Sequence, residues 1–312
     1  MLALLFPGQG SQEVGMGRDV FDASPAARAI FECADAALGY SLSKLCFEGP
    51  EDELVRTEVQ QPAILTTSIA LLRAIEERGP LVPAFVAGHS LGEYSALVAG
   101  GALGFDDAVC LVQARGRFMQ EAVPAGRGAM AAVIGTERAV IEQCCADACA
   151  TGQIVAPANY NSPPQTVIAG DAAAVERACV LARERGAKRI VPLPVSAPFH
   201  SQLMARAAEK LSLELAGLRF TDLAVPVVTN VEARSNLHGS RVAELLERQV
   251  TAPVRFVEMV QHLAEQGVTR VLEVGPGRVL TGLVRRIDRG IERGNCSVLD
   301  EVAQAAAFAA GA

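Results

Sequence analysis

The chain has 312 residues, half of them apolar and a fifth charged, enough to bury a substantial core as one large domain or two smaller ones. Its formal charge of −7 argues against a general nucleic-acid binder, and no apolar run approaches the length of a membrane span. The N-terminus, MLALLFPGQG, lacks the basic start and long apolar stretch of a secretory signal, so a cytoplasmic location is expected.

Eight cysteines are scattered along the chain with no C-x-x-C pair. In a reducing compartment they read as mostly small buried hydrophobes, and neither structural zinc nor any other metal is expected.

Leu2 to Phe6 predicts a short strand, broken at once by Pro7-Gly8-Gln9-Gly10-Ser11. Such glycines mark either a plain turn or a site at the carboxyl edge of a parallel sheet. Ser24-Pro25 is an N-cap followed by proline at the first helical position, which predicts a helix to about Ala37. A short helix is expected over Pro50 to Arg56, and Gln61-Pro62 is expected to open a longer one to about Glu77.

The stretch Ala84 to Gly101, AFVAGHSLGEYSALVAGG, reads as a buried strand, a tight turn and an apolar helix. Its turn carries G-x-S-x-G at Gly88 to Gly92. A serine at a strand-to-helix corner is held away from the sheet, and the first helix amides face whatever its hydroxyl attacks. Ser90 is therefore read as a nucleophile rather than a simple cap.

Asp106 and Asp107 open the next helix. Its apolar face carries Leu111 and Met119, and Arg115 falls on that same face at i+4 from one and i−4 from the other. A cation there needs an anion, because an unpaired buried charge is costly. The partner is either internal, for instance Glu93, or a ligand carboxylate.

From Gly128 the rhythm changes to β-α-β-β-α-β, ending near Pro194, with Asn159 to Pro164 as a polar hairpin loop. The expected architecture is α/β: a large α/β-hydrolase-like domain with a parallel sheet, residues 1–127 and 196–312, and an inserted ferredoxin-like subdomain, residues 128–195. Their boundary makes a cleft. His200, in Pro198-Phe199-His200-Ser201, sits at a loop-to-helix junction and is the best of four histidines for a general base to Ser90. Beyond it, a strand is expected over Val225 to Thr229, helices over Ser240 to Gln249 and Pro253 to Gln266, and a strand over Val271 to Val274. Ser297 to Leu299 is expected as a last strand, and the alanine-rich tail, Val302 to Ala312, as a frayed or loosely docked helix.

Phe6-Pro7-Gly8-Gln9-Gly10-Ser11, Gly88 to Ser95, Arg115-Gly116, Asn159 to Ser162, Pro198 to Ser201 and Glu273-Val274-Gly275-Pro276-Gly277 occur in this order. Together they closely resemble the malonyl-CoA:acyl carrier protein transacylases and the acyltransferase domains of polyketide synthases, over Met1 to about Arg286. The resemblance implies that Ser90 takes malonyl from coenzyme A and that His200 activates it. It implies that Arg115 pairs with the malonyl carboxylate and that the Gln9 and Leu91 amides form the oxyanion hole. It further implies that a main-chain carbonyl at Gln249 orients His200, so no triad aspartate is required.

The reaction implied is ping-pong, with an acyl carrier protein as second substrate and no cofactor; no heptad or long exposed apolar stripe asks for a dimer, so a monomer is expected. Phe199, Met119 and Asn161 are candidates for the acyl pocket. Lys188, Arg189, Arg285 and Arg286 are candidates for docking an acidic carrier.

The rivals are a serine thioesterase or hydrolase using Asp171, a non-enzymatic carrier-binding subunit, and a free-standing acyltransferase serving a polyketide synthase.

Overall fold

A computed structural model describes residues 1–124, 126–150, 152–195 and 197–311. The expected domain boundary at residue 196 and the last residue, 312, lie outside the described residues.

Among the described residues ten strands occur in chain order: β1 Leu2–Phe6, β2 Phe85–Gly88, β3 Gly128–Ile134, β4 Val155–Ser162, β5 Gln165–Asp171, β6 Arg189–Pro192, β7 Val227–Val228, β8 Ser235–Asn236, β9 Arg270–Val274 and β10 Glu292–Cys296. They form two sheets: six strands in the order β10-β9-β1-β2-β7-β8, and four in the order β4-β5-β3-β6. The larger sheet is parallel except for the β7–β8 pair, as the strand–helix alternation predicts. The smaller is antiparallel throughout.

β1 is buried along its whole length because both faces of the sheet are covered. Leu2, Leu4 and Phe6 pack toward the helices Thr57–Glu76 and Phe105–Glu121, whereas Ala3 and Leu5 face the helices Phe256–Glu265 and Val279–Ile287. The small sheet divides the same way. Ala131, Val133 and Ile168 pack on its own helices, Arg138–Ala148 and Ala172–Glu184, while Met130, Ala132 and Ala169 join the main core.

Several local expectations are corrected. The helix expected to open at Gln61-Pro62 begins at Thr57 and carries Pro62 inside it. Nearly every residue of that helix is buried, so packing outweighs the hydrogen bond Pro62 cannot make. Residues 159–162, expected as a loop, continue β4; they pair with β5 through two register irregularities, which polar side chains disguise in the sequence. The Val225 to Thr229 strand shrinks to Val227–Val228. The helix expected from Pro253 starts at Phe256. The last strand is Glu292–Cys296, not Ser297 to Leu299; it is a half-exposed edge strand with no apolar run. The tail is helical as expected, but the helix starts earlier, Leu299–Ala310, and buries Val302 and Ala305, so it is docked rather than frayed.

Candidate active site

Parallel pairing of Phe6 with Gly88 places the loop after β1 beside the turn after β2, at the carboxyl edge of the sheet. The turn leaves no room for side chains. A Cβ on Gly88 would meet the Gly92 carbonyl at 2.1 Å, and one on Gly92 would meet Phe6 O at 2.0 Å. Ser90 between them takes φ 53°, a left-handed conformation that bulky residues avoid.

The Ser90 amide donates to Asn230 Oδ1 at 2.6 Å and is thereby occupied. Among the described residues, the Gln9 and Leu91 amides have no protein acceptor, so they are free to donate to an oxyanion.

His200 adopts φ 56° and is 4% exposed. Its Nδ1 lies 2.8 Å from the main-chain oxygen of Gln249 and its Nε2 lies 2.7 Å from Ser90 Oγ. A carbonyl oxygen can only accept, so Nδ1 carries the proton, Nε2 is left as the basic nitrogen, and the Ser90 hydroxyl donates to it. Burial first, and then the nearby Arg115 charge, push His200 down to about 3, which keeps it a neutral base at neutral pH.

Arg115, on the helix Phe105–Glu121, is fully buried. Its neighbour Gly116 permits this, since a Cβ there would lie 2.5 Å from Thr57 O on the facing helix. Nη1 donates to Gln61 Oε1 at 2.8 Å; Nη2 donates to Gln249 Oε1 at 2.9 Å and to Ser90 Oγ at 3.1 Å. Nε has no partner among the described residues, and the Tyr94 ring centroid lies 5.3 Å from the guanidinium carbon. Burial presses the Arg115 pKa down while Tyr94 and Glu93 resist. Glu93, the internal partner considered from sequence, makes no ion pair with it; the Gln249 amide stands between them. A buried guanidinium held by neutral acceptors keeps its charge available to pair with an anion.

The site opens into a cleft of about 820 Å³ lined from both sheets, by Gln9, Ser90 and His200 on one side and Met130 and Asn159 on the other. Phe199 lines it too. Met119 is buried in the core, and Asn161 accepts from His89 Nε2 at 2.8 Å; neither lines the cleft. His89 itself lines the cleft while its ring bonds away from the Ser90–His200 pair. Lys188, Arg189, Arg285 and Arg286 are exposed and outside the cleft.

Asp171 accepts from Ile154 N at 2.9 Å and from Arg127 Nε at 3.4 Å, and makes no bond to His200. That removes the triad rival. Among the described residues, no group of three or more His, Cys, Asp or Glu could hold a metal, and no helix is long and apolar enough to cross a membrane.

Sequence reasoning missed Asn230, Gln61 and the Gln249 side chain. A polar residue ending a buried strand was the only signal for Asn230; Gln61 and Gln249 lie inside helices and carry none.

The chain matches the model of the acyl transferase domain family over residues 3–302. The malonyl CoA-acyl carrier protein transacylase of Escherichia coli (strain K12) is 52% identical over 285 residues, 91% of this chain and 92% of that relative. The crystal structure of an acyl carrier protein S-malonyltransferase from Vibrio cholerae O1 biovar eltor superposes with a TM-score of 0.94 at 46% identity, over 97% of this chain and 99% of that one. A malonyl-transacylase solved in complex with a type II PKS acyl-carrier protein gives a TM-score of 0.96 at 45% identity, over 98% and 99%.

Proposed function

The chain belongs to the acyl transferase domain family, and we propose that it transfers malonyl from coenzyme A to the phosphopantetheine thiol of an acyl carrier protein through a malonyl-serine intermediate. The observation that carries this reading is the contact of Ser90 Oγ with both His200 Nε2, at 2.7 Å, and Arg115 Nη2, at 3.1 Å. A serine–histidine pair alone would serve any acyl group. A buried guanidinium without an anion, touching the nucleophile, favours an acyl group that brings its own carboxylate.

Ser90 Oγ attacks the thioester carbonyl carbon as His200 Nε2 takes its proton. The Gln9 and Leu91 amides stabilise the tetrahedral oxyanion. Its collapse expels the coenzyme A sulfur, which regains the proton from His200. The carrier thiol then gives a proton to His200 and attacks the malonyl-serine ester, and Ser90 leaves with that proton. Every step is a proton or acyl transfer between side chains and substrate, so no cofactor enters.

The reading includes a ferredoxin-like subdomain of residues 128–195 inserted into an α/β-hydrolase-like domain, and the two-sided lining of the cleft supports it. A cytoplasmic location accords with eight free thiols. Extender supply for fatty acid synthesis is the role it fits; a trans-acting polyketide acyltransferase would use the same chemistry.

The test is intact-protein mass spectrometry after brief exposure to malonyl-, methylmalonyl- or acetyl-CoA. Wild type should gain a malonyl adduct that Ser90→Ala lacks and that a holo carrier protein discharges. No adduct, or one lost to water as fast as to the carrier, would overturn the transferase reading in favour of hydrolysis.

A further inference from the structure

Behind the nucleophile, one buried carboxylate joins the polar groups that hold the site. Glu93, in the first turn of the helix Gly92–Ala99, is 2% exposed. Its Oε2 accepts from Asn230 N at 3.0 Å and from Gln249 Nε2 at 2.7 Å. Asn230 in turn accepts from Ser90 N at 2.6 Å and donates to Gly88 O at 2.7 Å. Gln249 touches all three functional residues, Arg115 and His200 through their side chains and Ser90 through its main-chain carbonyl. Its Nε2 donates to Ser90 O at 3.0 Å, its Oε1 accepts from Arg115 Nη2 at 2.9 Å, and its main-chain oxygen accepts from His200 Nδ1 at 2.8 Å.

A side-chain amide has one donor end and one acceptor end. Arg115 only donates, and Glu93 Oε2 only accepts. Between them the Gln249 amide has a single satisfying orientation; turned over, it would set donor against donor at Arg115 and acceptor against acceptor at Glu93, and all three side chains are buried.

We propose that Glu93 is a positioning residue: its carboxylate fixes the Gln249 amide, and through that amide sets Arg115 beside Ser90 to receive the free carboxylate of the acyl group. This rests on the reading of Arg115 as the carboxylate receptor. The interposed amide also matters for what it prevents. A direct Glu93–Arg115 ion pair would compete with the substrate, whereas a neutral acceptor leaves the guanidinium charge available. Burial pushes Glu93 up to about 7, yet with a proton on Oε1 the Oε2 atom still accepts both bonds, so the orientation holds in either ionisation state.

The test is a competition. Equal malonyl-CoA and acetyl-CoA are mixed with each enzyme, and the ratio of malonyl to acetyl adducts on Ser90 is read by intact mass. A ratio within one sample is independent of the fraction folded, so a purely structural role would lower both adducts and leave it unchanged.

Glu93→Gln keeps an oxygen acceptor at full reach and loses the charge; the ratio should stay within about 3-fold of wild type. Glu93→Asp keeps the charge but is one methylene too short to reach both donors; the ratio should fall about 10-fold or more. An unchanged ratio in Glu93→Asp overturns the proposal. An equal loss in Glu93→Gln also overturns it, in favour of a role for charge alone. A wild type with no malonyl preference would overturn the reading of Arg115 itself, and this proposal with it.

Discussion

Arg115 Nη2 donates to Ser90 Oγ across 3.1 Å, so the cation and the nucleophile are in contact before substrate arrives. That spacing has a chemical consequence. In a malonyl thioester, a single methylene separates the carboxylate from the carbonyl under attack. An acyl group of this shape reaches both partners at once, and the guanidinium exchanges one neutral acceptor for a charged one.

Replacing Arg115 should therefore act on choice more than on chemistry. In Arg115→Ala the preference for malonyl over acetyl, measured as the ratio of acylation rates, should fall roughly 100-fold or more. Arg115→Lys should recover only part of it, because an ammonium cannot match the planar two-point geometry. A preference kept in Arg115→Ala would remove this residue from substrate recognition.

Gln61 offers the opposite experiment. Its Oε1 lies 2.8 Å from Arg115 Nη1, so Gln61→Glu would supply an internal anion. Malonyl acylation should fall about 10-fold more than acetyl acylation, since only malonyl competes for the guanidinium. Rapid-quench acylation with each thioester measures this, and equal losses would count against it.

The pH profile follows from His200. Burial and the Arg115 charge push it down to about 3, so the base is already deprotonated at pH 5. The acylation rate constant, kcat/KM for the first half-reaction, should be flat between about pH 5 and pH 8, with no inflection near the ordinary histidine value of about 6.5. Removing the Arg115 charge favours the protonated ring, so in Arg115→Ala the acid limb should move up. The linked stability has the same sign: the unfolded chain binds the extra proton below about pH 6.5, so this group's contribution is present above that value and is lost as pH falls toward about 3.

Asp171 should be dispensable for turnover. It caps a strand end, accepting from Ile154 N and Arg127 Nε, and does not touch His200. Asp171→Asn should leave carrier malonylation within about 2-fold while lowering stability by about 1 kcal/mol, as expected for one weakened partly exposed contact. Collapse of turnover in a folded protein would revive a triad.

Carrier docking is testable by charge. Arg286 Nη1 donates to Gln165 Oε1 at 3.1 Å, Gln165 pairs with Ile134, and Ile134 pairs with Arg189. These two cations thus share one end of the small sheet. The double variant Arg189→Glu, Arg286→Glu should raise KM for the carrier several-fold, more at low salt, while acylation by malonyl-CoA is unchanged. An unaltered KM would place the dock elsewhere.

What could be read in advance was whatever declares itself over a few consecutive residues. G-x-S-x-G between a strand and a helix identifies Ser90 because the turn's geometry demands those glycines. Arg115 stands out because a cation on an apolar helical face contradicts the period around it. The change of rhythm at Gly128 separates the second sheet for the same reason: alternation and periodicity are local properties.

The tertiary structure alone decided the partners. Ser90 and His200 are 110 residues apart, and only the fold sets Oγ 2.7 Å from Nε2. The Gln249 amide between Glu93 and Arg115 is equally invisible in sequence, since a glutamine inside a helix looks like any other until three segments converge on it. β10 went unrecognised because an edge strand needs no apolar run when its neighbour supplies the ladder. Propensity and pattern act along the chain, whereas hydrogen-bond complementarity acts across it, and this site is built from the second.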